Sequence, residues 1–275
     1  MRWRKLQGAL GAECSATDLV DVDIADVKEA LLEHQLLVLR DQELDDAAFT
    51  AFARRLGVLD VYPFAQPLPH APYVVAVTKE AQDVANFGGA WHSDTAYLPR
   101  PPGLTLLYAL EVPRHGGDTL FADMYGAYES LSADLKARLA SLQGHNTATL
   151  VHDSQGSHSA AAGESVARRD AQVTTQADHP LIRLHPETGR RALYFSLIHT
   201  ANIVGMTREK SLPLLRYLQA HTSKAENLTR LQWQRGTLAI WDNRCVQHYP
   251  QNDYPGARRE MHRIIVAGEP PIGVG

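Results

Sequence analysis

The segment Trp91–Tyr97 reads WHSDTAY, and its two metal-capable side chains, His92 and Asp94, stand at i and i+2. On a β-strand that spacing sends both side chains to one face, so an imidazole and a carboxylate can reach the same ion. His248, in WDNRCVQHYP, is the best candidate for a third ligand. Two histidines and one carboxylate gathered on one side of a metal leave its other positions open. That suits an Fe(II) ion which must take a chelating co-substrate and O2 together. Alone, a His-x-Asp pair is a short pattern in a chain with 13 histidines, and a polar pair at a strand edge would look the same.

Two further residues narrow the chemistry. Arg259, in GARREMHRIIVAG, follows His248 by 11 residues, enough for a strand, a turn and a return strand. A guanidinium grips a carboxylate through two parallel hydrogen bonds and keeps its charge at any working pH. The distal carboxylate of 2-oxoglutarate requires such a group. Thr119, in GGDTLFAD, can donate a hydroxyl to the same carboxylate. Read singly, these would be a surface arginine and a strand-forming threonine.

WHSDTAY, GGDTLFADMYGAYESLS, HPETGRRALYF, WDNRCVQHY and ARREMHR occur in that order between about Leu36 and Gly268. In this combination the chain resembles the TauD/TfdA family of Fe(II)/2-oxoglutarate dioxygenases, named for the taurine and 2,4-dichlorophenoxyacetate enzymes. The resemblance implies a double-stranded β-helix (jelly roll, cupin-like), mainly β with flanking helices. It implies Fe(II) on His92, Asp94 and His248, and 2-oxoglutarate on Thr119 and Arg259. O2 is the oxidant, and succinate and CO2 are released as a small anionic substrate is oxidised, by default hydroxylated. It also points to Arg263 as the group that holds the substrate's anion, on the same strand face as Arg259 because four is an even step. Expected substrates are carboxylates, sulfonates or sulfate esters. A homo-oligomer, dimer or tetramer, in the cytoplasm is expected.

The substrate side departs from the taurine enzymes. Phe64 stands in VYPFAQ where they carry a histidine, and Gly88 or Gly89 where they carry an asparagine. Taurine is therefore disfavoured, and a bulkier or more apolar substrate fits better. His199, in FSLIHTANIVG, takes the place of a pocket aromatic. Tyr62 and Phe64 are expected as lid contacts, and His152 as a further residue facing the pocket. The competing readings are a Zn-dependent β-barrel hydrolase or isomerase, which leaves Thr119 and Arg259 unexplained, and a catalytically silent jelly-roll binding module.

These residues need a scaffold. LLVLR (Leu36–Arg40), YVVAVTK, LTLLYAL, DTLFAD, TLAIWD, CVQHY and MHRIIVAG read as strands. LIRLH and RALYF form a hairpin across PETG. Helices are expected over Asp26–Gln35, over DDAAFTAFARRLG, as a pair between Met124 and Gln143, and between Thr207 and Thr222. In the second, Asp45 is the N-cap, Phe49, Phe52, Ala53 and Leu56 mark one face, and Gly57 closes it as a C′ glycine. Many short strands with few helices indicate a jelly roll or barrel. The whole chain, 1–275, reads as one catalytic domain, with a polar, mobile excursion over about 153–178.

Hydrophobic residues make up 44% and charged residues 21%, with a net charge of −4, as in ordinary globular proteins. No basic run suits nucleic acid, and no apolar run is long enough to span a membrane. The basic start lacks the apolar stretch of a secretory signal. Cys14 and Cys245 read as reduced thiols.

Overall fold

The computed structural model describes residues 1–15, 19–62, 64–152 and 175–274. Eight strands form a large sheet. Its order is Arg4–Lys5, Ala12–Cys14, Leu36–Leu39, Leu238–Asp242, Leu104–Glu111, Arg259–Val266, Leu59–Asp60, with Val75–Lys79 also pairing to Arg259–Val266. A smaller sheet runs Leu228–Leu231, Thr119–Asp123, Val246–Pro250. The two share one core in which Val38, Ala239, Trp241 and Met261 meet Phe121, Val246 and Leu231. This is the expected mainly-β jelly roll.

The continuous apolar run LLVL has a simple cause: both of its faces are covered. Leu36 and Val38 point into the core between the sheets. Leu37 and Leu39 point the other way and meet Val27, Leu31, Phe49 and Phe52. Those residues belong to the helices Ile24–His34 and Asp46–Leu56, which pack on the outer face of the large sheet. Asp23 and Asp45 cap them, accepting from the backbone N–H of Ala25 at 2.9 Å and of Ala48 at 2.7 Å. Gly57 closes the second helix, but not as a left-handed residue: its φ is 169°, which is extended. Glycine is needed there for space, because a Cβ would come within 2.7 Å of Val266 Cγ1.

Other expectations are corrected at their edges. The helical pair ends at Leu139, and Gln143–Thr147 is a strand between Thr200–Ile203 and Gln176–Pro180. Residues 176–178, expected within the excursion, belong instead to the strand Gln176–Pro180. Residues 153–174 and the His152 side chain lie outside the described residues. The hairpin Ile182–Leu184 with Arg191–Leu193 forms as expected. The helix Arg208–Thr222, capped by Thr207, runs through Pro213.

Inward positions of three strands converge on one place. On Arg259–Val266, Arg259, Met261 and Arg263 share a face. A bulge next to Glu260 does not disturb this, since the register there passes from Glu260↔Glu111 to Met261↔Ala109 and so leaves the extra residue on the partner strand. On the smaller sheet, Thr119 and Phe121 face the same space, as do Val246 and His248.

Candidate active site

His92 does not sit in a regular strand. It forms a single antiparallel bridge to His248, with His92 N donating to His248 O at 3.1 Å and His248 N to His92 O at 2.8 Å. The chain then turns at Asp94, and Thr95 has a φ of 43°. The expectation that His92 and Asp94 align through strand alternation is thus corrected. One bridge places His92 beside His248, and the turn brings Asp94 back to the same point.

The ligand atoms of His92, Asp94 and His248 all lie within 4.8 Å of one another, and all three residues are buried. His92 Nε2 stands 3.7 Å from Asp94 Oδ1, and the His92 and His248 rings are 4.2 Å apart between centroids. His92 Nδ1 pairs with the carbonyl of Ala90 at 2.7 Å, so Nδ1 carries the proton and Nε2 keeps its lone pair for an ion. His248 Nδ1 is buried with no hydrogen-bond partner.

The charges match this arrangement. Burial lowers the pKa of His92, and burial together with the nearby His92 lowers that of His248 to about 3. Burial alone would raise the Asp94 carboxyl, but Arg263, His248, His92 and a hydrogen bond from Thr105 bring it down to about 2. At neutral pH both imidazoles are neutral and the carboxylate is ionised, which is the state a divalent ion needs.

Beside these atoms opens a cleft. Thr119, Trp233 and Arg259 line its far side, and His92, Asp94 and His248 its near side. Arg259 is 6% exposed, yet its Nε and Nη2 have no hydrogen-bond partner. Burial lowers its pKa, and among the described residues no carboxylate pairs with it. Its guanidinium lies 5.6 Å from the Trp233 ring, and Trp233 Nε1 donates to Thr119 Oγ1 at 2.9 Å. Thr119 therefore accepts from tryptophan and keeps its own O–H for a ligand. Trp233 was not foreseen, because a lone tryptophan in LQWQRG carries no spacing signal.

A second lobe adjoins the first through His92, Asp94, Gly88, Phe87 and Arg263, and continues to Tyr62, Tyr97 and His199. The Arg263 guanidinium lies against two rings set edge to face, 4.5 Å from the centroid of Tyr62 and 5.5 Å from that of Phe87. Its Nη1 lies 3.6 Å from Asp94 Oδ1. His199 stands edge-on to Tyr97 at 5.1 Å. Phe64 does not line either lobe; it packs behind Tyr62 and Tyr97, 5.9 and 5.8 Å away. A Cβ on Gly88 would come 2.9 Å from His92 Cε1, so that wall is necessarily bare.

His185, Asp242 and Cys245 form another buried group, but its donors are already used. His185 Nδ1 accepts from the N–H of Glu187 and Thr188, its Nε2 meets Asp242 at 3.0 Å, and Arg244 donates to both Asp242 oxygens. This network ties the PETG turn to the sheet.

Fold and site together define a 2-oxoglutarate-dependent dioxygenase. The chain belongs to the taurine catabolism dioxygenase TauD, TfdA family, whose model matches residues 2–265. It is 32% identical over 281 residues to an alkylsulfatase of Acinetobacter baylyi, covering 99% of this chain and 87% of that one. An alpha-ketoglutarate-dependent sulfate ester dioxygenase of Pseudomonas putida is 31% identical over 279 residues, covering 97% and 89%. The crystal structure of a putative alpha-ketoglutarate-dependent taurine dioxygenase from Burkholderia xenovorans superposes with a TM-score of 0.81 at 29% identity, over 99% of this chain and 91% of that one. No helix among the described residues is long and apolar enough to cross a membrane.

Proposed function

We propose that His92, Asp94 and His248 hold Fe(II), that Arg259 and Thr119 receive the distal carboxylate of 2-oxoglutarate, and that the second lobe takes a small organic anion at Arg263. The observation that carries this reading is Arg259. A buried guanidinium without a counter-ion is costly, and its orphaned N–H groups share a cleft with three converging ligand atoms. A dicarboxylate bridging the two ends relieves that cost. The donor set of two neutral imidazoles and one carboxylate is the one that suits non-haem Fe(II) with open positions.

Bound there, iron would supply O2 activation and hydrogen abstraction, coupled to conversion of 2-oxoglutarate to succinate and CO2. The protein's own residues do the rest. Arg259 and Thr119 fix the co-substrate's far end, with Trp233 setting the direction of the threonine hydroxyl. Arg263, its guanidinium against the Tyr62 and Phe87 rings, presents a cation to the substrate. The aromatic walls exclude water around the carbon to be oxidised.

The names of the two relatives in Acinetobacter baylyi and Pseudomonas putida support sulfate esters as the first candidates to try. Hydroxylation of the carbon bearing the ester oxygen would collapse with C–O cleavage, giving a carbonyl compound and sulfate. The test is succinate release from 2-oxoglutarate with a panel of alkyl sulfates, sulfonates and aryloxy carboxylates, each beside its neutral analogue. Anions should stimulate release, alkyl sulfates with stoichiometric sulfate. Equal stimulation by neutral analogues would overturn the role of Arg263, and succinate release persisting in His92→Ala would overturn the iron assignment.

A further inference from the structure

Asp94 lies on a turn, where backbone geometry alone does not fix its carboxylate, yet a closed ring of buried hydrogen bonds holds it. Thr105 Oγ1 donates to Asp94 Oδ2 at 2.5 Å. Asn243 Nδ2 donates to Thr105 Oγ1 at 2.8 Å. Asn243 Oδ1 accepts from Trp241 Nε1 at 3.1 Å and from the backbone N–H of Asp94 at 3.2 Å. The ring thus leaves Asp94 through its amide and returns to it through its carboxylate.

Each direction is determined. Two N–H donors face Asn243 Oδ1, so the amide cannot be reversed. With Asn243 donating to its oxygen, Thr105 can send its single hydrogen only to Asp94, whose ionised carboxylate is acceptor-only. Thr105 and Asn243 are both 0% exposed, so water does not compete. Thr105 is anchored on both sides, paired with Trp241 and with Ile265 in the large sheet. The oxygen left over, Oδ1, is the one that faces His92 Nε2 and Arg263.

We infer that Thr105 is a positioning residue that ties up one Asp94 oxygen, so that Asp94 offers a metal a single donor atom, and that Asn243 sets the direction of this tether. The inference rests on the reading of His92, Asp94 and His248 as metal ligands. A carboxylate free to swing would bind with both oxygens and occupy a position that the co-substrate or O2 needs.

The test is Co(II) titration of the metal-free protein. It is followed by tryptophan fluorescence, since the Trp241 ring lies 4.8 Å from His248, and by the visible spectrum of the bound ion. Thr105→Val keeps the shape and loses the hydroxyl; Thr105→Ala is the second variant should valine fail to fold. Both should weaken Co(II) binding roughly 10–100-fold and alter the spectrum, while Thr105→Ser stays within about threefold of wild type with an unchanged spectrum. Thr105→Val and Thr105→Ala binding like wild type, or Thr105→Ser losing as much as they do, would overturn the positioning role alone. Failure of the wild type to bind Co(II) would overturn the metal reading, and this proposal with it.

Discussion

At the scale of the residue, the informative feature is a cation with nothing to hold. Arg258 next door is satisfied by Glu80, Glu111 and Glu260. Arg259 is buried and its Nε and Nη2 are unpartnered. Charge-assisted hydrogen bonds of this kind contribute about 1.5–3 kcal/mol, so Arg259→Gln should raise the KM for 2-oxoglutarate roughly 10–100-fold. The Kd for Co(II) should barely move, because Arg259 does not touch the ligand triad. Steady-state kinetics at varied 2-oxoglutarate check the first statement and metal titration the second. An unchanged KM would remove Arg259 from the co-substrate site.

The elements decide how these side chains meet. The pair His92 and Asp94 was legible as a motif, but the strand that should have aligned them is replaced by one bridge and a turn. Period-two reasoning fails here because a single ladder rung leaves no alternation, and the register is set by His248 on a distant strand. Gly88 belongs to the same loop, with a φ of 74°. Gly88→Ala would strain a left-handed backbone position and push a methyl to 2.9 Å from His92 Cε1. It should cost about 1–3 kcal/mol of stability and weaken Co(II) binding about tenfold through the displaced imidazole. Thermal melting and metal titration of the same variant separate the two effects. Asp45→Ala is the contrasting case. Loss of its cap on the helix Asp46–Leu56 should cost about 1 kcal/mol in denaturant unfolding and leave metal affinity unchanged, since that helix packs on the far side of the sheet. The helix itself was readable from its periodicity. Gly57 ends that helix as its position indicates, while its extended backbone and its closeness to Val266 are features no local pattern reveals.

Over the whole molecule, two cores flank one sheet, and the site opens where the smaller sheet covers it. Leu104–Glu111 and Leu238–Asp242 in the large sheet were legible because burial on both faces makes them largely apolar. Leu59–Asp60, and Leu228–Leu231 with Trp233 beyond it, were not, since their pairing depends on partners more than 100 residues away. Trp233, Thr105 and Asn243 share that property: their roles arise from hydrogen bonds between segments remote in sequence. Because the ligands come from segments more than 150 residues apart, metal binding should stabilise the entire domain. Co(II) at 100 times its Kd should add about 2.7 kcal/mol to unfolding, seen as a raised Tm that His248→Ala abolishes.

The iron site is tested most directly by the anaerobic visible spectrum of the protein with Fe(II) and 2-oxoglutarate. Chelation of iron by the keto oxygen and adjacent carboxylate produces a weak charge-transfer band. That band is expected in the wild type, is absent in His92→Ala, and appears in Arg259→Gln only at much higher 2-oxoglutarate. Wild-type protein that gives no band with both components saturating would contradict the assignment of His92, Asp94 and His248 as the iron site.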